Sequence, residues 1–143
     1  MIFLFKTVVF PYDFSHFSES VVPYIKEMKS MGVEKVIIVS VLEYEGFVLR
    51  HVSSELEIKE YREKNKARLD FIKKEFESVG LDAKVFIDYG IPSKIISSVV
   101  VEEKADLIVM ASLGAGFSHN LLGSTVQNVL KISQIPVLIV PAK

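Results

Sequence analysis

Five short apolar runs rich in β-branched residues divide this chain: residues 7–10, 35–41, 83–87, 107–110 and 136–140. Most are continuous rather than alternating. A strand with one face in water alternates apolar with polar residues, so continuous runs imply strands covered on both faces, as in a parallel sheet. Between the runs the apolar residues switch to helical spacing. Val21, Tyr24, Ile25 and Met28 predict a helix over 18–31, with Gly32 as its stop. Leu69, Ile72, Phe76 and Val79 share one face of a second helix over 53–79, ended by Gly80. Ile95, Ile96, Val99 and Val100 mark a third, with Pro92 near its start and Ser93 as candidate N-cap. Val126, Val129, Leu130 and Ile132 mark a fourth. Strand alternating with helix throughout predicts an open, doubly wound α/β sheet with helices on both faces. With 143 residues, half of them apolar, a single domain over 1–143 with a sizeable core is expected.

Several function classes drop out. The formal net charge is −1 and Lys and Arg are scattered, which leaves no electrostatic footprint for nucleic acid. The absence of cysteine excludes disulfides, thiolate catalysis and cysteine-ligated metals. His16, His51 and His119 lie far apart, without metal-ligand spacing. No apolar run approaches the roughly 20 residues that span a bilayer. The apolar stretch 1–10 lacks a basic start and a small-residue cleavage site, and Pro11 follows at once. It reads as a first buried strand rather than a signal peptide, and a cytoplasmic protein without membrane partners is expected.

In open α/β sheets ligands sit beyond the carboxyl ends of strands, where the strand order reverses. The segments to inspect therefore follow strands: 11–15, 41–50, 88–91 and 111–122. The fourth is the most informative. Met110-Ala111-Ser112-Leu113-Gly114-Ala115-Gly116 leaves a buried strand, and Gly123-Ser124-Thr125 opens a helix. Free backbone N–H groups and the positive end of the helix dipole converge at such a point, so it can hold a phosphate. Gly114 and Gly116 allow tight bends, Gly123 allows close approach, and Ser124 and Thr125 add hydroxyls. The loop carries no Lys or Arg, so backbone dipoles and hydroxyls would do the holding. The alternative is plain chain reversal, since glycine-rich turns are common. The pattern is neither a Walker A motif nor the dinucleotide fingerprint. Asp13, just past the first strand, can accept from a ribose hydroxyl or an adenine amino group. It can equally serve as a turn or helix-start partner.

Pro11-Tyr12-Asp13-Phe14-Ser15, Val41, Asp106-Leu107-Ile108-Val109-Met110, Gly123-Ser124 and Pro136-Val137-Leu138-Ile139-Val140-Pro141 together resemble the universal stress protein family. The resemblance spans essentially the whole chain. It implies a five-stranded parallel sheet of order 3-2-1-4-5, like that of the adenine nucleotide alpha hydrolases. It also implies a homodimer, paired through the edge strand 137–140. The nucleotide-binding branch carries a loop of Gly, two residues, Gly, nine residues, Gly-Ser/Thr. By that resemblance ATP or AMP, with Mg²⁺ beside ATP, places its phosphates and ribose on the fourth loop. Adenine falls near Asp13 and Val41. The implied ligand set is Pro11, Tyr12, Asp13, Val41, Met110, Ala111, Gly114, Gly116, Gly123, Ser124 and Thr125. This chain departs at two points: Ala111 holds the first glycine position, and eight residues rather than nine separate Gly114 from Gly123. A dimeric member that binds no nucleotide and serves as an interaction module is the competing reading.

Efficient catalysis is not expected. Asp13 is one carboxylate without a recognisable partner, and His119 reads as an ordinary loop residue. Slow ATP hydrolysis stays open. The His-x-Gly-His type loop of related adenylyl-transfer enzymes is missing from 11–15. Phe47, Val48 and Leu49 read equally as a lid or partner contact and as a cap on the second helix. The alternating charges of 55–66 read as a solvated helix face.

Overall fold

A computed structural model describes residues 4–43, 54–113 and 122–142. Its strands are β1 (Thr7–Pro11), β2 (Lys35–Glu43), β3 (Asp82–Gly90), β4 (Leu107–Ala111) and β5 (Val137–Val140). All pairings are parallel and the spatial order is β3-β2-β1-β4-β5, as the family resemblance implies. Helices α1 (His16–Glu19), α2 (Val22–Glu27), α3 (Ser54–Glu77), α4 (Pro92–Glu102) and α5 (Ser124–Ile132) connect them.

Alternate strand residues feed two separate cores. On one face Val8, Phe10, Val36 and Ile38 pack with Ile25 of α2 and Leu69, Ile72 and Phe76 of α3. On the other, Val9, Ile37, Ile108 and Met110 meet Ile96 and Val99 of α4 and Val126 and Val129 of α5. This double cover explains the continuous apolar runs. It holds fully in the centre, where all five residues of β4 are buried, and only partly at the edges β3 and β5. No described helix is long and apolar enough to cross a membrane.

The structure corrects three boundaries. The single helix expected over 18–31 is broken into α1, α2 and a 3₁₀ turn, Met28–Met31. Pro23 lacks an N–H and its ring clashes with a preceding helical carbonyl, so the helix restarts with Pro23 in its first turn. Gly32 then closes the segment at φ 101°. Ser93 is not the N-cap of α4. Pro92 is preset for the first helical position, which makes Ile91 the cap and puts the buried Ser93 inside the helix. Finally, residues 88–90 continue β3, paired with the equally extended end of β2 from Val41 to Glu43.

Phe76 is fully buried and meets Phe10 edge-on at 5.9 Å, joining α3 to the central strand. Phe76→Ala should cost roughly 3–5 kcal/mol through the cavity it leaves. Urea denaturation should show a lower midpoint at unchanged slope.

Candidate functional site

The strand order reverses between β1 and β4. There β1 hands the chain to helices on one face, and β4 hands it to α5 on the other. The gap is a cleft of about 380 Å³ at the carboxyl edge of the sheet. Pro11, Tyr12 and Asp13 line it from β1, and Val39, Val41 and Glu43 from β2. Met110, Ala111 and Leu113 close it from β4, and Gly123, Ser124, Thr125 and Val126 from the start of α5. Ser18, Tyr61, Pro92 and Ile96 complete the wall. A smaller pocket of about 170 Å³ extends it past Glu43, Ser124 and Thr125 toward the start of α4.

Nine of the eleven residues named from the sequence thus border one cavity; Gly114 and Gly116 lie outside the described residues, as do His119 and the segment Phe47-Val48-Leu49. Ala111 is the last residue of β4, in register with Val140. Its backbone is extended, so a Cβ there costs no strain of the left-handed kind. Gly123 is the N-cap of α5 at φ −63° and ψ 157°. Its N–H donates to the Ser112 carbonyl at 2.9 Å. Gln127 closes the first helical bond onto Gly123, which leaves the amides of Ser124, Thr125 and Val126 without intrahelical acceptors. Ser112 also donates its N–H to Val140 and accepts from Ala142 through its hydroxyl, both at 2.9 Å.

Asp13 takes the turn-partner role on one oxygen while lining the cleft. Its Oδ1 accepts from the Ser15 N–H at 3.0 Å, the Ser15 hydroxyl at 2.5 Å and the Ser18 hydroxyl at 2.7 Å. The Ser15 hydroxyl in turn caps α1 by accepting from the Ser18 N–H. Between them Phe14 sits at φ 67°, a left-handed conformation unusual for an aromatic residue, with its ring 4.9 Å from that of Tyr12.

The Tyr12 hydroxyl is committed away from any ligand. It donates to Glu19 Oε1 at 2.5 Å and accepts from Arg68 Nε at 3.3 Å. Arg68 also pairs directly with Glu19. Burial, then the Glu19 hydrogen bond, pushes the Tyr12 phenol up to about 12. Burial would raise Glu19 as well, but the bonds from Arg68 and Tyr12 outweigh it and hold that carboxyl low.

Tyr61 of α3 was missed in the sequence, because it sits in a charged helical stretch. Its hydroxyl shares a 2.8 Å hydrogen bond with the fully buried Ser40. Burial raises the pKa of its phenol and so disfavours ionisation, the Ser40 bond opposes this, and the charges of Asp13 and Glu43 add to the rise. Side chains at the β1–β2 end of the cleft are therefore hydrogen-bond acceptors, Asp13 and Glu43. The α5 end offers donors, the amides and the hydroxyls of Ser124 and Thr125. No Lys or Arg is among the described lining residues. The arrangement suits a ligand with N–H or O–H groups at one end and an anion at the other.

Known proteins share the sequence pattern and the fold of this chain. Residues 4–141 match the model of the universal stress protein family. Universal stress protein MJ0577 of Methanocaldococcus jannaschii is 32% identical over 98% of this chain and 97% of its own. Its solved structure superposes with a TM-score of 0.82 at 33% identity, covering 98% of both chains. The same fold is found in a universal stress protein solved in complex with cAMP, with a TM-score of 0.70 at 24% identity, covering 96% of this chain and 97% of the other. It is found again in one from Archaeoglobus fulgidus in complex with dAMP, with a TM-score of 0.63 at 20% identity, covering 96% and 98%.

The raised Tyr12 phenol gives a signed pH dependence. Its neutral form is favoured in the folded state, so its contribution is full below pH 10.0 and is lost as pH rises through about 12. Urea midpoints should fall more between pH 9 and pH 11 in the unmodified protein than in Tyr12→Phe. Equal falls would show that the phenol is not protected.

Proposed function

The chain belongs to the universal stress protein family, and from that premise we propose that its cleft binds an adenine nucleotide, ATP or AMP, in a regulatory rather than an efficiently catalytic role. One observation carries this reading: the cleft places acceptor carboxylates at one end and a helix N-terminus at the other. The amides of Ser124, Thr125 and Val126 receive a phosphate, helped by the α5 dipole. Asp13 accepts from the ribose or the base amine, and Val41 contributes an apolar wall to the adenine. Two universal stress proteins of this fold, solved in complex with cAMP and with dAMP, support the reading. No Lys or Arg lines the cleft among the described residues, so ATP would bring Mg²⁺ to offset the charge of its phosphates.

A homodimer through β5 is part of the proposal. β5 is a sheet edge, and Leu138 is exposed on it. An open edge pairs readily with a second copy about a two-fold axis. The same edge favours a second reading, a dimeric interaction module without nucleotide.

Calorimetry with AMP and with ATP, each with and without Mg²⁺, separates the two readings. Saturable binding supports the nucleotide site, and no heat at millimolar ligand refutes it. Asp13→Asn removes the charge but keeps an acceptor for Ser15 and Ser18, and should weaken binding about tenfold, about 1.4 kcal/mol. Light scattering should give twice the chain mass at micromolar protein; monomer alone would refute the dimer.

A further inference from the structure

We infer that Tyr61 is a ligand-contacting residue of the cleft: its ring forms the wall against which the planar base of the bound nucleotide rests, with Ser40 as the anchor that fixes the ring. The inference rests on the nucleotide reading above and adds a residue which that reading does not use.

The apolar stripe of α3 runs Ile58, Tyr61, Leu69, Ile72 and Phe76. Its far end is core, with Leu69, Ile72 and Phe76 almost fully buried. At Tyr61 the stripe reaches the cleft: the residue still packs against the edge of the core, but it also lines the cavity. A leucine would satisfy the packing at such a place. A tyrosine brings a flat π surface and a hydroxyl that needs a partner. That partner is built in: Ser40 of β2 is 0% exposed and meets the phenol at 2.8 Å. On another side Phe14 approaches Tyr61 at 6.1 Å, with the rings inclined at 72°. Phe14 is itself held by the turn around Asp13. The ring is thus fixed at its tip by a hydrogen bond and at its side by an aromatic neighbour. A pre-set ring lowers the cost of ordering on binding.

The surroundings select the kind of group that meets it. Asp13 and Glu43 lie close enough for their charges to act on the phenol. Val41 lines the same cleft from β2, with Pro11 on the neighbouring strand. A flat, neutral group edged with N–H donors fits between an aromatic ring, aliphatic side chains and two carboxylates. An aminopurine has that form. A phosphate does not, and belongs at the α5 end.

The test uses AMP as probe on the full chain, by calorimetry and by tyrosine emission, which is readable because the chain has no tryptophan. Stacking on an aromatic side chain is worth enough that Tyr61→Leu should weaken AMP roughly tenfold or more. Tyr61→Phe keeps the ring and should stay within about threefold, consistent with a modest net hydrogen-bond contribution. AMP should quench tyrosine emission in the unmodified protein and do so far less in Tyr61→Phe. Unchanged AMP affinity in a folded Tyr61→Leu overturns the inference while leaving the nucleotide site standing. Should that variant not fold, equal quenching in the unmodified protein and in Tyr61→Phe overturns it. Absence of AMP binding to the unmodified protein is a different outcome: it removes the nucleotide reading, and this inference with it.

Discussion

Everything at the cleft depends on β1 pairing on both sides, with β2 through the register Thr7 to Lys35 and with β4 through Val8 to Leu107. A central parallel strand can hold two neighbours only if crossovers cover both faces. Those crossovers then leave the sheet in opposite directions at its carboxyl edge, and the edge cannot close between them. The crevice follows from the topology. Asp106 reinforces that pairing at the other end of the strand, where its Oδ2 accepts from the amides of Lys6 and Thr7 at 2.9 Å.

What fills the crevice is polar chemistry on a rigid apolar frame. Asp13 is pointed by Ser15 and Ser18, Tyr12 is drawn aside by Glu19 and Arg68, and Tyr61 is tied to Ser40. Tyr12 is buried and Tyr61 half-buried, and each has a named partner, as the cost of leaving such groups unpaired requires; Asp13 is exposed at the rim and held by its turn. The Tyr12 network also separates two functions on adjacent residues. The tyrosine links α1 to α3, while the aspartate beside it lines the cleft.

The parallel strands and the faces of the helices were legible because burial writes its period directly into the sequence, whereas the strand order came only with the family resemblance. The rim of the cleft was legible at Asp13 and Gly123 from their places after a strand and before a helix, while Pro11, Val41 and Ala111 came with the family resemblance. Tyr61 and Ser18 were not. Each lies on a helix whose local pattern serves packing or capping, and only the closure of the sheet brings it to the crevice. Ser93 was misplaced for a related reason. Its type suits a cap, but Pro92 decides where α4 begins. Pro23 was passed over because the apolar spacing around it continues unbroken, although its missing N–H does not allow the helix to do the same.

Ser112 is not among the residues that line the cleft, yet it ties the start of α5 to the end of β5. Its carbonyl holds Gly123, its amide holds Val140 and its hydroxyl holds Ala142. A displacement of the segment after β5 therefore reaches the start of α5 through one residue, without passing through the hydrophobic core. Surveys that rank residues by distance to the cleft would pass over this serine, although it is the strut on which the start of α5 is mounted.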